Sequence, residues 1–333
     1  MRSIFEEPNP RVTDIFERWE QGYQVSRVLQ VGVEVGVFPA LSGSPASAGD
    51  LAQRLGLDPE GARKLCAALT AMGLLEHDGH AYRNTELAEA HLVPGRPLYR
   101  GDGIEHGGDL YFRWSGLGNL VREGRWGDTP AHPAPGDAGA TRRFILAMHN
   151  YSVAGRAQAV ALAADLDGAR RLLDLGGGPG TYSIALCQRF PGLEATVRDL
   201  AHTHPYAREV IESYGMQDRV RLEAGSWDDE DWGRDYDAVL MSNVLHGRSE
   251  LNQAKVRRAH AALRAGGQFL VHDFVVNPDG RGPLSAALFD FNVAAYRFDD
   301  LVADLRAAGF TDVRGVPLTD SPQTLVVCRK PGT

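Results

Sequence analysis

The sequence predicts an α/β fold in which a doubly wound, mostly parallel sheet follows a mostly helical N-terminal domain. From Gly168 onward, short continuous apolar runs alternate with helix-like segments, and a glycine-rich turn follows the first of these runs. The first 95 residues instead carry apolar side chains at helical spacing. Continuous apolar strands separated by helices are typical of a parallel sheet covered on both faces. With 333 residues, the chain is long enough for two domains that each have a core.

Residues 1–95 are predicted to form a winged-helix domain. Apolar residues between Val12 and Leu41 recur at the spacing of helices that need a partner surface. Residues 47–69 indicate two short helices joined by a turn that contains glycine. Residues 73–83 then predict a hairpin that turns at Asp78-Gly79 and forms the wing.

A winged helix commonly reads DNA. Recognition of DNA calls for a basic helix, whereas the second short helix offers only Arg63 and Lys64 among alanine and leucine. A net charge of −8 also argues against a nucleic-acid partner. The pattern therefore argues against DNA binding by this domain.

Residues 96–165 are predicted to be connecting helices that contribute to a substrate pocket. Four aromatic residues there either pack in a core or line an aromatic pocket, and the sequence leaves both possibilities open: Tyr111, Phe112, Trp114 and Trp126. A helix is expected from Phe144 to about Ala164.

Residues 166–333 are predicted to form the doubly wound domain. The strands are expected at 171–175, 195–198, 220–223, 238–241, 268–272, near 313 and at 325–328, and the helices at 182–190, 206–214, 252–263 and 301–308. Ligands of such sheets bind beyond the carboxyl ends of the strands. The turn after the first strand is therefore the expected ligand site.

That turn contains Gly176, Gly177, Gly178 and Gly180. Glycines allow positive φ and let a ligand approach the main chain. A dinucleotide fingerprint would need a further glycine where Thr181 stands, so a nicotinamide or flavin cofactor is not favoured. Asp199 lies roughly 20 residues further on, where a carboxylate can accept hydrogen bonds from both hydroxyls of a ribose.

Three motifs, taken in their order along the chain, resemble those of a known family. Asp174–Gly180, Ala195–Leu200 and Ser242–His246 together resemble the S-adenosylmethionine-dependent O-methyltransferases of the plant caffeate and hydroxyindole type and their bacterial polyketide-tailoring relatives. The resemblance covers most of the chain. It implies a class I methyltransferase (Rossmann-like) domain whose last strand inserts antiparallel, an N-terminal winged-helix dimerisation domain, a homodimer and the cofactor S-adenosyl-L-methionine. The acceptor would be a hydroxylated aromatic or polyketide-like small molecule.

The resemblance also assigns roles to individual residues. His246 matches the general base of the family, and a neutral imidazole suits deprotonation of a phenol. Met148 matches a substrate contact, and His149 beside it is a reserve candidate for the base or a substrate contact. The expected cofactor-binding residues are Ser152, Gly176, Gly178, Asp199, Leu200, Ser226, Trp227 and Ser242.

The chain departs from the family pattern at three places. Ser226 replaces the carboxylate expected to accept a hydrogen bond from the adenine amine. Gly247-Arg248 replaces the Asp-Trp that commonly follows the base. The segment before the last helix, which in relatives carries a glutamate that orients the base, is shortened here, and Asp273 is the expected substitute.

These departures keep two alternatives open. One is a C- or N-methyltransferase, or a tailoring enzyme of the same fold that uses S-adenosylmethionine without methyl transfer. The other is a regulator that binds DNA through its winged helix and senses a ligand with the second domain.

Composition sets the remaining expectations. No apolar run approaches the length of a bilayer span, and the first residues lack the apolar region of a signal peptide, so a cytoplasmic location and no membrane partner are expected. Cys66, Cys187 and Cys328 show no metal-ligand spacing, which predicts buried, reduced thiols and no metal site.

Overall fold

A computed structural model describes residues 10–126, 137–319 and 321–332. The chain divides into two compact units, Met1–Thr129 and Pro130–Thr333. The boundaries expected at residues 95 and 165 stay predictions, and residues 1–9 and 127–136 of the first two predicted segments lie outside the described residues. Within the described ranges, none of the helices has both the length and the apolar character that crossing a bilayer requires.

The first unit is helical apart from one hairpin. Its elements are α1 Pro10–Glu34, α2 Val37–Leu41, α3 Ala48–Leu55, α4 Pro59–Ala71, β1 Leu75–His77, β2 Tyr82–Asn84, α5 Glu86–His91, α6 Gly101–Ser115 and α7 Leu117–Glu123. Ser47 caps α3 and Asp58 caps α4, each by accepting a hydrogen bond from the backbone N–H three residues on. These caps explain where the two predicted short helices begin.

The predicted wing is present. Strands β1 and β2 pair antiparallel, with Leu75 opposite Asn84 and His77 opposite Tyr82. Between them, the Asp78 carboxylate accepts hydrogen bonds from the backbone N–H groups of His80 and Ala81. The turn chemistry at Asp78-Gly79 therefore set the hairpin, as expected.

Glycines let α6 pack closely against α1. A Cβ on Gly108 would lie 2.8 Å from a carboxylate oxygen of Glu34. In the same unit, the predicted pocket aromatics contact one another, since Tyr111 meets Phe112 and Trp114 meets Trp126 edge to face. Phe112 nevertheless remains 59% exposed.

The second unit contains the sheet. Its elements are α8 Ala138–Tyr151, a π-helical turn Ser152–Arg156, α9 Ala157–Ala163, β3 Arg171–Leu175, α10 Thr181–Arg189, β4 Glu194–Asp199, a 3-10 turn Ala201–Thr203, α11 His204–Ser213, β5 Val220–Ala224, β6 Tyr236–Ser242, α12 Glu250–Ala262, β7 Leu263–Asp273, β8 Val275–Val276, α13 Leu284–Asn292, β9 Tyr296–Arg297, α14 Phe298–Ala307, β10 Thr311–Val316 and β11 Thr324–Arg329.

The sheet has the predicted doubly wound topology. Its strand order is β10-β11-β7-β6-β3-β4-β5, so the order reverses at β3. Strands β5, β4, β3, β6 and β7 run parallel, whereas β11 pairs antiparallel with both β7 and β10. Successive residues such as Leu172 and Leu173 enter separate buried clusters on the two faces. The antiparallel insertion of the last strand is confirmed.

Two features of this unit depart from the expected elements. The helix expected from Phe144 to about Ala164 is broken by the π-helical turn, in which Gly155 has φ 105°. Helix α13 was not predicted, although apolar residues recur at helical spacing in it: Leu284, Ala287, Leu288 and Phe291. All three cysteines are buried free thiols, as predicted.

Candidate active site

The glycine turn between β3 and α10 leaves no room for a side chain at Gly176 or Gly177. Gly176 has φ 66°, and a Cβ there would lie 2.9 Å from Val244 Cγ2 and 3.3 Å from the Trp227 ring. A Cβ on Gly177 would lie 2.6 Å from the Asp174 carboxyl carbon. Side chains from β3, from the segment after β5 and from the segment after β6 thus converge on one bare stretch of backbone.

Asp174 supports this turn from inside. It is fully buried, and burial raises the pKa of its carboxyl to about 7, partly opposed by a hydrogen bond from the Ser183 hydroxyl. The carboxyl ties the end of β3 to the first turn of α10.

Asp199 at the end of β4 bonds directly to the glycine turn. One carboxylate oxygen accepts a hydrogen bond from the Gly178 N–H at 2.8 Å, and the other accepts one from the Leu200 N–H at 2.7 Å. Each oxygen keeps further acceptor capacity. Three predicted cofactor residues, Gly178, Asp199 and Leu200, therefore meet at the switch point of the sheet.

Trp227 forms a wall beside Gly176. Its side chain is 41% exposed, and the ammonium of Lys255 lies 4.7 Å from the centre of its ring. Lys255 is itself buried on α12 and donates a hydrogen bond to the Val244 carbonyl at 3.5 Å. Burial lowers the pKa of this lysine. Lys255 thus contacts both the aromatic wall and the segment that leads to His246.

Ser226 supplies no carboxylate, but one lies next to it. The backbone N–H of Ser226 donates to the Asp229 carboxylate at 2.8 Å, and the Ser226 hydroxyl accepts from the Asp228 N–H. Hydrogen bonding from Arg198 lowers the pKa of the Asp229 carboxyl. An ionised group therefore accompanies the position where the family pattern expects one.

Ser242 belongs to a partly buried polar network. Its hydroxyl bonds to His272 Nδ1 at 2.9 Å. The other ring nitrogen of His272 bonds to the Ser321 hydroxyl at 3.2 Å. Burial lowers the pKa of His272 to about 3, so the ring is neutral. The network holds Ser242, whereas the Ser152 hydroxyl bonds within its own helical segment.

The two residues predicted to contact substrate lie at the end of α8. Met148 is half-buried, and its carbonyl accepts a hydrogen bond from the Ser152 hydroxyl at 2.7 Å. His149 Nδ1 bonds to the Thr181 hydroxyl at 2.8 Å, and its ring packs edge to face on Tyr214. Burial lowers the pKa of His149 to about 4. His149 therefore joins α8 to the start of α10 as a neutral ring.

His246 follows β6 with its side chain 28% exposed. Its ring centre lies 5.4 Å from that of Phe289 on α13, and Phe289 stacks on Phe274 with ring centres 4.2 Å apart. A partly exposed imidazole therefore stands beside an aromatic pair.

Asp273 does not bond to His246 in the expected way. Its Oδ1 lies 3.9 Å from His246 Nδ1, which is longer than a hydrogen bond. Its two oxygens accept hydrogen bonds from the backbone N–H groups of Phe274 and Leu245. Burial raises the pKa of this carboxyl to about 8. Asp273 holds the backbone of the segment that carries the base.

This arrangement fits an S-adenosyl nucleoside. The space beside Gly176 that a Cβ would fill is bounded by an aromatic face, and an acidic side chain stands at the end of the neighbouring strand. Among the described residues, no three His, Cys, Asp or Glu side chains cluster as metal ligands would.

Sequence reasoning missed several residues of this site. The sequence offered one signal for Lys255. It lies at helical spacing from three other residues on the buried face of α12, namely Asn252, Val256 and Ala259. The aromatic pair of Phe274 and Phe289 carried no such signal, because α13 itself was not predicted. The role of Asp229 depends on how the chain turns after Ser226.

Comparison with known proteins identifies the family. Residues 114–300, more than half of the chain, match the O-methyltransferase domain, and residues 19–94 match the O-methyltransferase dimerisation domain. The chain is 34% identical over 310 residues to the 3-hydroxy-5-methyl-1-naphthoate 3-O-methyltransferase of Streptomyces sahachiroi, covering 89% of this chain and 88% of that relative. It is 33% identical over 325 residues to the tetracenomycin polyketide synthesis 8-O-methyl transferase TcmO of Streptomyces glaucescens, covering 92% and 93%.

A solved structure shows the same fold. Human N-acetylserotonin methyltransferase in complex with SAM superposes with a TM-score of 0.86 at 24% identity, covering 100% of both chains. Together, these matches confirm the predicted fold class, the predicted enzyme class and S-adenosylmethionine as the cofactor. They support O-methyl transfer over the alternatives. The chain therefore belongs to the O-methyltransferase family, as an S-adenosylmethionine-dependent methyltransferase that carries the family's dimerisation domain.

Proposed function

We propose that this enzyme methylates a hydroxyl group of an aromatic small molecule, with His246 as the general base. The observation that carries the proposal is the position of His246: it follows β6 at the carboxyl edge of the parallel sheet, and its ring lies 5.4 Å from Phe289, which stacks on Phe274. Flat apolar rings suit an aromatic acceptor. The names of the two Streptomyces relatives, which act on a naphthoate and in tetracenomycin polyketide synthesis, support the same acceptor class.

The cofactor supplies a methyl group that its sulfonium has already activated. Eight residues are proposed to hold it: Ser152, Gly176, Gly178, Asp199, Leu200, Ser226, Trp227 and Ser242. The chain itself must orient the acceptor and take its proton. Met148, half-buried on α8, is proposed as an acceptor contact. His149 is a weaker candidate, because its Nδ1 already bonds to Thr181.

The test compares His246→Ala and His246→Gln with His202→Ala, which alters an exposed histidine. Hydroxylated naphthoates and polyketide phenols serve as acceptors, and the readouts are S-adenosylhomocysteine release and the methylated position by NMR. Loss of the base lowers kcat by roughly 10²–10⁴-fold and leaves S-adenosylhomocysteine affinity unchanged. Wild-type turnover in both His246 variants would remove His246 as the base, and a methyl on carbon or nitrogen would refute the acceptor class.

We also propose that the chain works as a homodimer. Helix α1 carries large apolar side chains that remain exposed in the single chain: Ile15 43%, Phe16 54%, Trp19 69% and Tyr23 57%. Such a face on a family dimerisation domain suits a second copy of the same chain.

A further inference from the structure

The segment that carries His246 is anchored by a side chain from α12. The Asn252 side-chain amide donates to the carbonyls of His246 and Gly247, at 2.9 and 2.8 Å. Asn252 is buried, and its own N–H is capped by the Ser249 hydroxyl. The backbone at the base is therefore fixed from one side by the first turn of α12.

Gly247 meets the shortened segment before α14. It has φ 69°, and a Cβ there would lie 2.5 Å from the Ala294 side chain. A residue with a side chain at this position would require both a strained backbone and displacement of Ala294. The glycine after the base and the shortened segment therefore fit each other.

Arg248 reaches across to α14. Its guanidinium donates to Asp300 at 3.0 Å and to Asp304 at 2.8 Å. Asp304 is buried, and its carboxylate also accepts hydrogen bonds from Gln253 at 3.1 Å and from the Tyr296 hydroxyl at 3.2 Å. Hydrogen bonding to Asp304 raises the pKa of Arg248, so the arginine is charged. The exposed arginine is thus held by a carboxylate that three side chains share.

We propose that Arg248 and Asp304 are positioning residues for His246, and that their ion pair fixes the segment that carries the imidazole. The inference rests on the proposed function of His246. Asn252 holds the backbone carbonyls of His246 and Gly247, and Asp304 holds the side chain of Arg248, so the segment that carries the imidazole is anchored on both sides of Gly247. Misplacement of a base by a fraction of an ångström lowers the rate without removing any reacting group.

Arg248→Met is the main test, because the side chain is 48% exposed and its loss does not open a core. We expect kcat to fall about tenfold, with the acceptor KM and the S-adenosylhomocysteine affinity within about twofold of wild type. Arg248→Lys recovers part of kcat, since one ammonium can still reach Asp304. Asp299→Asn, an exposed acid in the first turn of α14, is the matched control.

A double-mutant cycle adds Asp304→Asn. The double variant should be no slower than the slower single variant, because both changes break one contact. Should Asp304→Asn not fold, the two Arg248 variants carry the test alone.

A spectroscopic readout separates this inference from the proposed function. The Cε1–Hε1 NMR signal of His246, assigned with His246→Gln, should move in Arg248→Met and stay in Asp299→Asn. An unmoved signal overturns the inference, and so does full kcat in Arg248→Met when His246→Ala is inactive. A moved signal with full activity in His246→Ala would leave the positioning role standing and refute His246 as the base.

Discussion

At the scale of single residues, the cofactor edge depends on contacts between side chains distant in sequence. Position 176 favours glycine because its φ is 66° and a Cβ there would lie 2.9 Å from Val244 Cγ2 and 3.3 Å from the Trp227 ring. Trp227 in turn lies against the ammonium of Lys255. We therefore expect a substitution at Lys255 to change the affinity for the cofactor, although Lys255 does not belong to the glycine turn.

We predict that Lys255→Met weakens S-adenosylhomocysteine binding by about tenfold, because a desolvated cation–π contact contributes about 1–2 kcal/mol and the Val244 carbonyl also loses a donor. Isothermal titration calorimetry checks this. Arg257→Met, an exposed residue of the same helix, is the control and should bind as wild type does. Equal affinity in Lys255→Met would show that Trp227 is held without the lysine.

At the scale of elements, α1 has an apolar face with no partner among the described residues of its own unit. Ile15, Phe16, Trp19 and Tyr23 fall within about 100° of one another around the helix axis. Their exposure contrasts with the buried cluster that Val33, Val37 and Phe38 enter nearby in sequence. The C-terminal part of this helical segment thus packs in the core, whereas its N-terminal part presents an exposed apolar face that could bind another chain.

We predict that Trp19→Lys converts the dimer to a monomer, because the charge would be buried at the centre of the apolar face. Size-exclusion chromatography with light scattering measures the mass at several concentrations. Gln21→Lys places the same charge on the opposite side of α1 and should leave the dimer intact. A dimeric Trp19→Lys protein would place the interface elsewhere.

Some secondary-structure elements could be predicted from sequence patterns, and others could not. The parallel strands, the wing and the antiparallel last strand followed from apolar runs, turn residues and the resemblance. The π-helical turn at Ser152–Arg156 did not, because only tertiary packing decides whether a continuous helical pattern is broken. Helix α13 was missed because a segment of nine residues is too short for its apolar spacing alone to distinguish a helix from other structure.

At the scale of the whole molecule, buried titratable groups link stability to pH. Burial raises the pKa of Asp174 to about 7 and that of Asp273 to about 8, so the folded state holds protons that the unfolded state releases above about pH 4. Burial lowers the pKa of His149 to about 4 and that of His272 to about 3, so below about pH 6.5 the unfolded state takes up protons there. Of these four groups, the two carboxyl groups contribute most of the change between pH 6.5 and 8, because the two histidines are mostly neutral in both states over most of that range.

We therefore predict that the free energy of unfolding falls as pH rises from 6.5 to 8. Asp273→Asn should flatten this slope by roughly 1 kcal/mol per pH unit, since one proton accounts for at most about 1.4 kcal/mol per unit. Urea denaturation of the cofactor-free protein at four pH values gives the slopes. Asp218→Asn, an exposed acid, should keep the wild-type slope. A slope unchanged in Asp273→Asn would mean that Asp273 is ionised throughout this range.

The sequence by itself determined the doubly wound fold, the family, the cofactor and a short set of candidate residues, because strand and helix periods, turn glycines and ordered motifs are local properties of the chain. Tertiary structure alone decided how the base segment is held. Asp273 turned out to bond to backbone, Gly247 to fit against Ala294, and Arg248 to pair with a buried acid 56 residues away. Such contacts depend on which elements the sheet brings together, and a local sequence pattern does not show which residues distant in sequence will meet.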